Sequence, residues 1–309
     1  MTELSSESPP ARATLVSVLA PAKINLILRI LDRRPDGFHN LWSVMHTVGL
    51  EDEVSLQLVP DRSDIALRCD DGSLKPDESN LVYRAAAAVL QRVGKQVGID
   101  ISLTKHIPMG AGLGGGSSDA AATIIGLDRL LDLRWSLRQM ADAGRVLGSD
   151  VSFFFYAPCA IVTGRGDQVK AMPMLGSRWV VLVNPGFGVE TKWAYQQLST
   201  TRTGVGSFGE SHAWLEQQGH VSWEEVLRGA ENDFERPVFQ AYPALREIKQ
   251  QLSAQGAEAA LLSGSGATVF GVFKDEASAL NAKGAFQADS RLKVFAVPVC
   301  SGPIVCRAQ

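Results

Sequence analysis

The sequence of 309 residues has little that would place it in a specialised class of protein. No apolar run reaches the length needed to cross a bilayer, so a membrane partner is not expected. The 30 basic and 33 acidic residues give a net charge of −3, and without a positive excess nucleic acid is not an expected partner either. Residues 1–12 lack the basic start and apolar run of a signal peptide, and their Ser, Glu and Pro content predicts a short disordered tail.

Cysteine is also scarce, and its spacing excludes a zinc pattern. The chain has four cysteines, namely Cys69, Cys159, Cys300 and Cys306. Only the last two are close together, and no histidine or cysteine beside them completes a metal-binding spacing. Scattered cysteines of this kind are typical of reduced thiols, and we therefore expect a cytoplasmic protein.

The sequence does contain enough apolar residues for a substantial core. Hydrophobic residues make up 45% of the chain and charged residues 20%, as in soluble globular proteins. The length is suited to two ordinary domains or one large domain. We expect an N-terminal domain over residues 13–170, a C-terminal domain over residues 171–309, and a surface insertion rich in Thr, Gly, Ser and His at about residues 200–222.

Hydrophobic periodicity predicts a mixed order of strands and helices rather than a regular alternation of the two. Leu15–Leu31 has the pattern of a strand that is interrupted by Pro21–Asn25. The apolar spacing predicts helices over Asn80–Val93, Ser118–Leu131 and Val238–Gln255. The fold class that this order indicates is α+β.

The densest local feature is a glycine-rich stretch, PMGAGLGGGSSD, over residues 108–119. Glycines let the backbone curve around a ligand, and the start of the following helix offers unpaired N–H groups and a positive dipole end to an anion. Two hydroxyls at the expected cap, Ser117 and Ser118, add donors. We therefore expect a phosphate chain to bind here. The expected nucleotide-binding residues are Pro108, Met109, Gly110, Ala111, Gly112, Leu113, Gly114, Gly115, Gly116, Ser117 and Ser118.

Three other interpretations of this stretch are weighed against phosphate binding. A Walker loop is excluded because no lysine follows Gly116. The spacing of Gly110, Gly112 and Gly115 matches the dinucleotide fingerprint of an oxidoreductase, but the segment does not open a βαβ unit. A flexible loop without a ligand is the third alternative, although such loops rarely lead into a capped apolar helix with two hydroxyls.

The stretch resembles the second motif of the GHMP small-molecule kinases, which binds ATP phosphates at a helix N-terminus. APAKINL at Ala20–Leu26 resembles the N-terminal motif of these kinases, and LLSGSGATVFGVF at Leu261–Phe273 resembles their C-terminal glycine motif. The resemblance implies a two-domain α+β fold. Its N-terminal domain would be like domain 2 of ribosomal protein S5, its C-terminal domain would be ferredoxin-like, and the active site would lie in the cleft between them.

Further motifs resemble one branch of the superfamily. They are RRPDGFHNLWSVM at Arg33–Met45, LGSDVSFFF at Leu147–Phe155 and ENDFERPVFQAYP at Glu231–Pro243. That branch uses ATP to phosphorylate the 2-hydroxyl of 4-diphosphocytidyl-2-C-methyl-D-erythritol in the non-mevalonate isoprenoid pathway. The resemblance therefore implies an enzyme whose partner is a small molecule with a cytidine diphosphate group.

Two residues match the catalytic pair of these kinases. The resemblance implies that Asp150 accepts the proton of the substrate hydroxyl and that Lys23 stabilises the charge that develops on the oxygen. A lysine in an apolar strand is unusual because an unpaired buried ammonium is costly, which favours a partner for Lys23. The structural alternatives are a helix-capping role for Asp150 and an edge position for Lys23 with its head in solvent.

The resemblance also implies residues for the substrate. Phe38 and Tyr195 would stack on the two faces of cytosine, and His39 would hydrogen-bond to its edge. Nearby Phe187 and Trp193 are alternative candidates for the second aromatic. The other expected substrate-binding residues are Asn25, Thr191, Gly264, Ser265 and Gly266. Asn232 and Asp233 lie in a matching motif, but the sequence assigns them no chemical task.

Magnesium is expected because it accompanies ATP and neutralises phosphate oxygens. The protein ligands are not evident from the sequence, and Ser118 and Asp150 are the only candidates. Kinases of homoserine, mevalonate or a sugar and a catalytically silent ATP-binding protein are the alternative functions. A monomer or weak homodimer is expected.

Overall fold

Two sheets dominate the computed structural model, which describes residues 14–201 and 214–308. The predicted tail at residues 1–12 lies outside this described part. The strands of the described part are β1 (Leu15–Arg33), β2 (His39–Val59), β3 (Ile65–Cys69), β4 (Gly98–Thr104), β5 (Cys159–Gly164), β6 (Gln168–Ala171), β7 (Met174–Leu175), β8 (Trp179–Asn184), β9 (Val221–Ser222), β10 (Glu231–Asn232), β11 (Ala259–Leu262), β12 (Val269–Phe273), β13 (Lys293–Pro298) and β14 (Cys306–Ala308).

The helices of this part lie between the strands. They are α1 (Leu81–Val93), α2 (Gly115–Leu131), α3 (Leu137–Gly144), α4 (Thr191–Thr201), α5 (Trp223–Arg228), α6 (Glu235–Ala241), α7 (Pro243–Ala254) and α8 (Glu276–Gly284). Short 3₁₀ helices span Ser149–Tyr156 and Leu215–Gln217. None of the helices in residues 14–201 and 214–308 is both long and apolar enough to cross a membrane.

The larger sheet is built around the long antiparallel pair β1 and β2. Its main order is β10-β1-β2-β4-β3, with β14 also on β1, β5 on β2 and β6 on β5. Helix α2 packs across β1 and β2, and α1 and α3 pack beside it. This arrangement leaves the N-terminal end of α2 next to the middle of β1.

Strand β1 is continuous, so the predicted interruption at Pro21–Asn25 is wrong. Instead, bulges between Pro21 and Ala22 and between Asn25 and Ile27 shift the register against β2. Even-numbered residues before the first bulge belong to the core under α2, whereas Ala22, Ile24 and Leu26 belong to the core facing the second sheet. The bulges thus exchange the two faces of β1 over this segment, as bulges near active sites commonly do. As a result, residues 23 and 25 point to the α2 side.

The second sheet has the order β11-β12-β8-β13, and all its neighbours are antiparallel. Helices lie between β8 and β11 and between β12 and β13, which gives the βαββαβ connection of a ferredoxin-like domain. The α+β fold class and the ferredoxin-like C-terminal part are therefore confirmed.

The predicted helix Val238–Gln255 is divided. Helix α6 ends at Ala241 and α7 begins at Pro243, with Tyr242 between them in a non-helical conformation. Proline has no N–H group and disfavours a helical conformation in the residue before it, so it suits the first position of a new helix. The prediction of a single long helix was wrong, because the apolar spacing continues across the break and does not reveal it.

The division between the predicted domains at residue 170 stays a prediction. Two short strands from beyond that residue, β10 and β14, join the larger sheet. Of the predicted insertion at residues 200–222, residues 202–213 lie outside the described part. The insertion stays a prediction, and in its described part Leu215 and Val221 are buried in the core.

Candidate active site

The ammonium of Lys23 and the carboxylate of Asp150 form an ion pair at the centre of the candidate site. Their Nζ and Oδ2 atoms are 3.7 Å apart, and the exposed fraction is 4% for the Lys23 side chain and 29% for that of Asp150. Lys23 lies in the bulged segment of β1, and Asp150 lies in the first turn of the 3₁₀ helix Ser149–Tyr156. The fold therefore brings together two residues from distant motifs and leaves the carboxylate accessible to a small molecule.

Asn25 holds the Lys23 ammonium in place. Its Oδ1 accepts a hydrogen bond of 2.6 Å from Lys23 Nζ, and its Nδ2 donates one of 2.9 Å to Ser43 Oγ. The Ser43 hydroxyl in turn donates to the Ile27 carbonyl oxygen at 2.7 Å. The orientation of the Asn25 amide is thus fixed from both sides. Ser43 was not identified from the sequence because a serine within a strand carries no distinctive signal.

Burial determines the electrostatics of Lys23. Removal from water lowers the pKa of this lysine, and the negative charge of Asp150 opposes the effect. A cation in such a poorly solvated place interacts more strongly with a new negative charge than it would in water. The pair is therefore suited to stabilise an oxygen that loses a proton beside it.

The glycine stretch lies against Lys23. The backbone N–H of Lys23 donates to the Leu113 carbonyl at 2.9 Å. A Cβ atom placed on Gly114 would lie only 2.9 Å from Lys23 Cγ, so a larger residue would displace the lysine stem. Ala111 and Leu113 are buried and Met109 is exposed, which leaves the outer side of the loop open to a ligand.

Helix α2 begins earlier than its sequence predicts. Gly114 is the N-cap with a φ of 71°, and no side chain caps this end of the helix. Ser117 and Ser118 therefore lie inside the first turn, and their expected position at the cap is wrong. The hydroxyl of Ser118 is buried and makes no hydrogen bond to the described residues. An unpaired donor at an uncapped helix start is favourable for an anion.

The two glycine-rich motifs contact each other directly. Ser263 Oγ donates to the Gly112 carbonyl at 2.9 Å, and the Thr268 N–H donates to the Ala111 carbonyl at 3.1 Å. Gly112 has a φ of 77°, and a Cβ placed on it would lie 2.0 Å from the Ser263 carbonyl oxygen. Only glycine fits this contact.

The C-terminal motif also reaches Lys23. A Cβ placed on Gly264 would lie 3.3 Å from Lys23 Nζ. The next residue, Ser265, shares a hydrogen bond of 3.0 Å between its hydroxyl and that of Thr191. Gly266 completes this turn, and its N–H donates to the Ser263 carbonyl at 2.9 Å. The expected residues of this motif thus lie beside Lys23.

Aromatic rings form the next part of the site. The rings of His39 and Tyr195 are stacked with centroids 5.1 Å apart and an interplanar angle of 21°. Tyr195 also meets the edge of Phe234 at 4.9 Å. Burial raises the pKa of Tyr195 to about 12, and the charge of Asp150 adds to this rise. Tyr195 therefore lies close enough to the ion pair to sense it.

The alternative aromatic candidates lie elsewhere. Phe187 and Trp193 both pack on Tyr242, each with ring centroids 5.5 Å apart. Of the three residues considered for the second stacking position, Tyr195 is the one in contact with His39. This geometry favours Tyr195, whose role in stacking stays a prediction.

Phe38 is linked to Asp150 through a loop that the sequence did not indicate. Its ring is 58% exposed, and the guanidinium of Arg165 lies over it with Cζ 5.0 Å from the centroid. A Cβ placed on the following Gly166 would lie 3.1 Å from Ser149 Cβ and 3.9 Å from Asp150 Oδ1. The Arg165–Gly166 segment thus contacts both the exposed ring and the Asp150 segment.

A buried charge cluster supports the base of the glycine loop. Lys105 Nζ forms ion pairs with Asp52 and, at 2.6 Å, with Asp119 in the first turns of α2. The other oxygen of Asp52 accepts the backbone N–H groups of His106 and Ile107 at 2.5 and 2.9 Å. The cluster joins β2, the segment before the loop and α2. Sequence reasoning did not identify it because its members are far apart along the chain.

The cluster holds one more acid than base. Burial acts to lower the pKa of Lys105, but the carboxylates of Asp119 and Asp52 outweigh it and raise that pKa. Burial raises the pKa of Asp119 to about 7. One oxygen of Asp119, Oδ1, is buried without a hydrogen bond to the described residues, which is consistent with a proton held there near neutral pH.

A dedicated metal cage is not found in the described residues. Within residues 14–201 and 214–308, no group of three or more His, Cys, Asp or Glu side chains could hold a metal ion. A divalent cation at this site would thus take most of its ligands from a bound phosphate chain and from water, the usual pattern for Mg²⁺.

Comparison with known proteins agrees with this geometry. The chain matches the family models of the GHMP kinases N terminal domain over residues 80–157 and the GHMP kinases C terminal over residues 215–291. The 4-diphosphocytidyl-2-C-methyl-D-erythritol kinase of Syntrophotalea carbinolica is 43% identical to this chain over 281 residues, which cover 91% of this chain and 98% of that protein.

Solved structures give the same result. A crystal structure of 4-(cytidine 5'-diphospho)-2C-methyl-D-erythritol kinase has a TM-score of 0.75 and 33% identity, and the match covers 93% of this chain and 100% of that one. Homoserine kinase from Cytophaga hutchinsonii has a TM-score of 0.74 at 18% identity, with 99% and 100% covered, and this likeness concerns the fold alone. The resemblance deduced from the motifs is confirmed: the chain belongs to the 4-diphosphocytidyl-2-C-methyl-D-erythritol kinase family of the GHMP kinases.

Proposed function

We propose that this chain transfers the γ-phosphate of ATP to the 2-hydroxyl of 4-diphosphocytidyl-2-C-methyl-D-erythritol, the compound whose kinase its relatives are named to be. The observation that carries the proposal is the Lys23–Asp150 pair, 3.7 Å apart and in contact with both glycine motifs. Such a pair beside an uncapped helix start offers the base, the cation and the anion site that phosphoryl transfer to an alcohol requires.

In this proposal Asp150 accepts the proton of the 2-hydroxyl as the oxygen attacks the γ-phosphorus. The bond between that phosphorus and the bridging oxygen breaks, and ADP leaves. Lys23 stabilises the negative charge on the attacking oxygen, and Asn25 keeps the ammonium directed at it. Asn25 thus acts mainly on Lys23, because its amide oxygen is already engaged.

ATP is proposed to bind with its phosphates at the start of α2. The donors are the unpaired N–H groups of the first turn, the glycine loop and the free hydroxyl of Ser118. Magnesium would enter as Mg-ATP, and Ser118 Oγ and the Asp150 carboxylate are the protein oxygens that would hold it. When bound, it neutralises phosphate oxygens.

The cytidine end of the substrate is proposed to bind at Phe38, His39 and Tyr195. An exposed ring at position 38 and the stacked pair at 39 and 195 offer π-faces and an imidazole to a pyrimidine. In the substrate the diphosphate joins cytidine to the methylerythritol. Arg165, which lies between Phe38 and the Asp150 segment, is the cation best placed for it.

The alternative functions lack a use for these aromatic residues. Homoserine, mevalonate and sugar acceptors carry no nucleobase, so they would leave the 38–39 turn without a partner. A catalytically silent nucleotide binder would not need the Lys23–Asp150 pair. The cytoplasmic location and the monomeric or weakly dimeric state stay predictions.

The test is an ADP-release assay with Mg-ATP and three acceptors in parallel: 4-diphosphocytidyl-2-C-methyl-D-erythritol, homoserine and mevalonate. We expect turnover with the cytidine substrate alone. Asp150→Asn keeps the shape but removes the base, and we expect turnover to fall by about 10²-fold or more. Near-normal turnover of a folded Asp150→Asn variant would exclude the proposed base. Turnover with homoserine or mevalonate instead would exclude the proposed substrate.

A further inference from the structure

We propose that Asn232 is a positioning residue that fixes the contact between the two glycine motifs and thereby the nucleotide site. It lies in the ENDFE segment, to which the sequence assigned no task, and its amide bonds to backbone groups rather than to Lys23 or Asp150. The inference rests on the proposed function only in taking the ligand of the glycine loop to be an adenine nucleotide.

All hydrogen-bonding capacity of the Asn232 amide nitrogen is used on the C-terminal motif. Nδ2 donates to the carbonyl oxygens of Leu262 and Gly264 at 2.7 and 2.8 Å. Oδ1 accepts the N–H of Phe234 at 2.9 Å. Two carbonyl oxygens on one side and an N–H on the other allow only one orientation of the amide. The side chain is 6% exposed, so water does not readily replace these partners.

The bonded carbonyls lie on either side of Ser263. Ser263 is the residue whose hydroxyl donates to the Gly112 carbonyl and whose own carbonyl would be 2.0 Å from a Cβ on Gly112. Fixing the peptides of Leu262 and Gly264 therefore fixes Ser263, and Ser263 fixes the ATP loop at Gly112. Asn232 reaches that loop through one intervening residue.

Asn232 is itself anchored to the strand that bears the catalytic lysine. Strand β10 pairs in parallel with β1, with Asn232 opposite Leu28. The Asp233 N–H donates to the Leu28 carbonyl at 3.0 Å, and Asp233 Oδ2 accepts the N–H of Ile30 at 2.7 Å. The amide thus transmits the position of β1 to the glycine motif, and the ATP loop is set relative to Lys23.

The tests are a nucleotide-binding titration, with a non-hydrolysable ATP analogue and Mg²⁺, and the KM for ATP. Asn232→Asp keeps the shape but places carboxylate oxygens against two carbonyls. We expect the dissociation constant of the analogue and the KM for ATP to rise together by about tenfold or more. Asn281→Asp is the matched control, because Asn281 is exposed on α8, and we expect no change.

The milder Asn232→Ser, combined with Ser263→Ala in a double-mutant cycle, tests the route of the effect. If Asn232 acts through Ser263, the dissociation constant of the double variant does not exceed that of the single variant with the lower affinity. If the fold-changes in dissociation constant of the two single variants multiply in the double variant, the proposal is overturned. Unchanged affinity in a folded Asn232→Ser variant also overturns it, because Asn232 would then have a purely structural role.

The titrations of the single and double variants need no acceptor substrate, unlike the KM for ATP, and they test the proposal by themselves. A wild-type chain that binds the analogue but does not phosphorylate the cytidine substrate would refute the proposed function and leave the Asn232 test intact. A wild-type chain that binds no adenine nucleotide would overturn both.

Discussion

Lys23 is a charged residue at a buried position, where a charge is energetically unfavourable. Its side chain is almost fully buried, and its ammonium is compensated by one amide oxygen and one carboxylate rather than by water. Burial lowers its pKa while Asp150 opposes that change. The cost of keeping such a group is consistent with a role in the reaction rather than in stability.

Replacing Lys23 with methionine tests this at the residue scale. The thioether keeps most of the volume that packs under Gly114 but removes the charge. We expect kcat to fall by about 10²-fold or more, because the charge on the attacking oxygen loses its cation, whereas the affinity for ATP changes little. Steady-state kinetics and analogue titration separate the two quantities. The exposed Lys274→Met is the control, and a loss of ATP affinity alone would contradict the assignment.

The buried acid Asp119 has a different consequence, which concerns pH. Its pKa is about 7 in the folded chain, against an ordinary value of 3.8 for an aspartate in water. Between these values the folded state binds more protons than the unfolded state, so the contribution of Asp119 to the free energy of unfolding falls as pH rises through this window. Above the window the fold carries a surplus buried negative charge.

Asp119→Asn should remove this dependence. The amide stays neutral at every pH. As pH rises from 5 to 8, the free energy of unfolding of the variant should therefore increase relative to that of the wild type by on the order of 2 kcal/mol. Urea unfolding of both proteins without nucleotide at several pH values measures the difference. Exposed Asp61→Asn serves as control. A difference that does not vary with pH would show that Asp119 is ionised throughout.

At the scale of elements, the close packing of α2 on the central strands depends on Gly126. A Cβ placed there would lie 2.4 Å from Leu56 Cδ1 and 3.2 Å from Val18 Cγ2. The helix therefore lies nearer to β1 and β2 than a larger residue would allow. This distance also determines where the first turn of α2 meets Lys23.

Gly126→Ala should destabilise the fold although alanine is the better helix former. The methyl group overpacks the interface, which costs about 1–3 kcal/mol. Gly284, at the end of α8, has nothing within 4 Å of an added Cβ. The same substitution there should be neutral or stabilise by up to about 1 kcal/mol. Denaturant unfolding of the Gly126→Ala and Gly284→Ala variants measures the change in the free energy of unfolding for each. Equal changes would contradict the packing argument.

The spacing of apolar residues along the chain predicted helices correctly where that spacing alone determines the element. The helix predicted at Asn80–Val93 is α1, and the predicted helix after the glycine loop is α2. The prediction was wrong where a tertiary effect decides. Bulges against β2 keep β1 continuous past Pro21, and the start of α2 at Gly115 depends on a left-handed glycine rather than on a capping serine.

The same distinction applies to the site. Lys23 and Asp150 were singled out because each lies in a motif that resembles the family's, and the structure places them in an ion pair; their catalytic roles stay a prediction. Ser43, Lys105 and Asn232 could not be predicted, because their function lies in contacts with residues distant in sequence. A single sequence shows which residues are unusual but not which ordinary polar residues meet.

At the scale of the whole molecule, the larger sheet contains both early and late parts of the chain. Strand β14 pairs antiparallel with β1, with Val16 opposite Ala308 and Val18 opposite Cys306. During synthesis β1 is made well before β14, so residues 16–18 of β1 wait for this partner while the elements between them are made. Pairing across so long a separation is slow to form, and until then the edge of β1 is an open template for other strands. This segment of β1 thus depends on β14, and a nascent chain stalled before β14 leaves the edge exposed to aggregation and to chaperones.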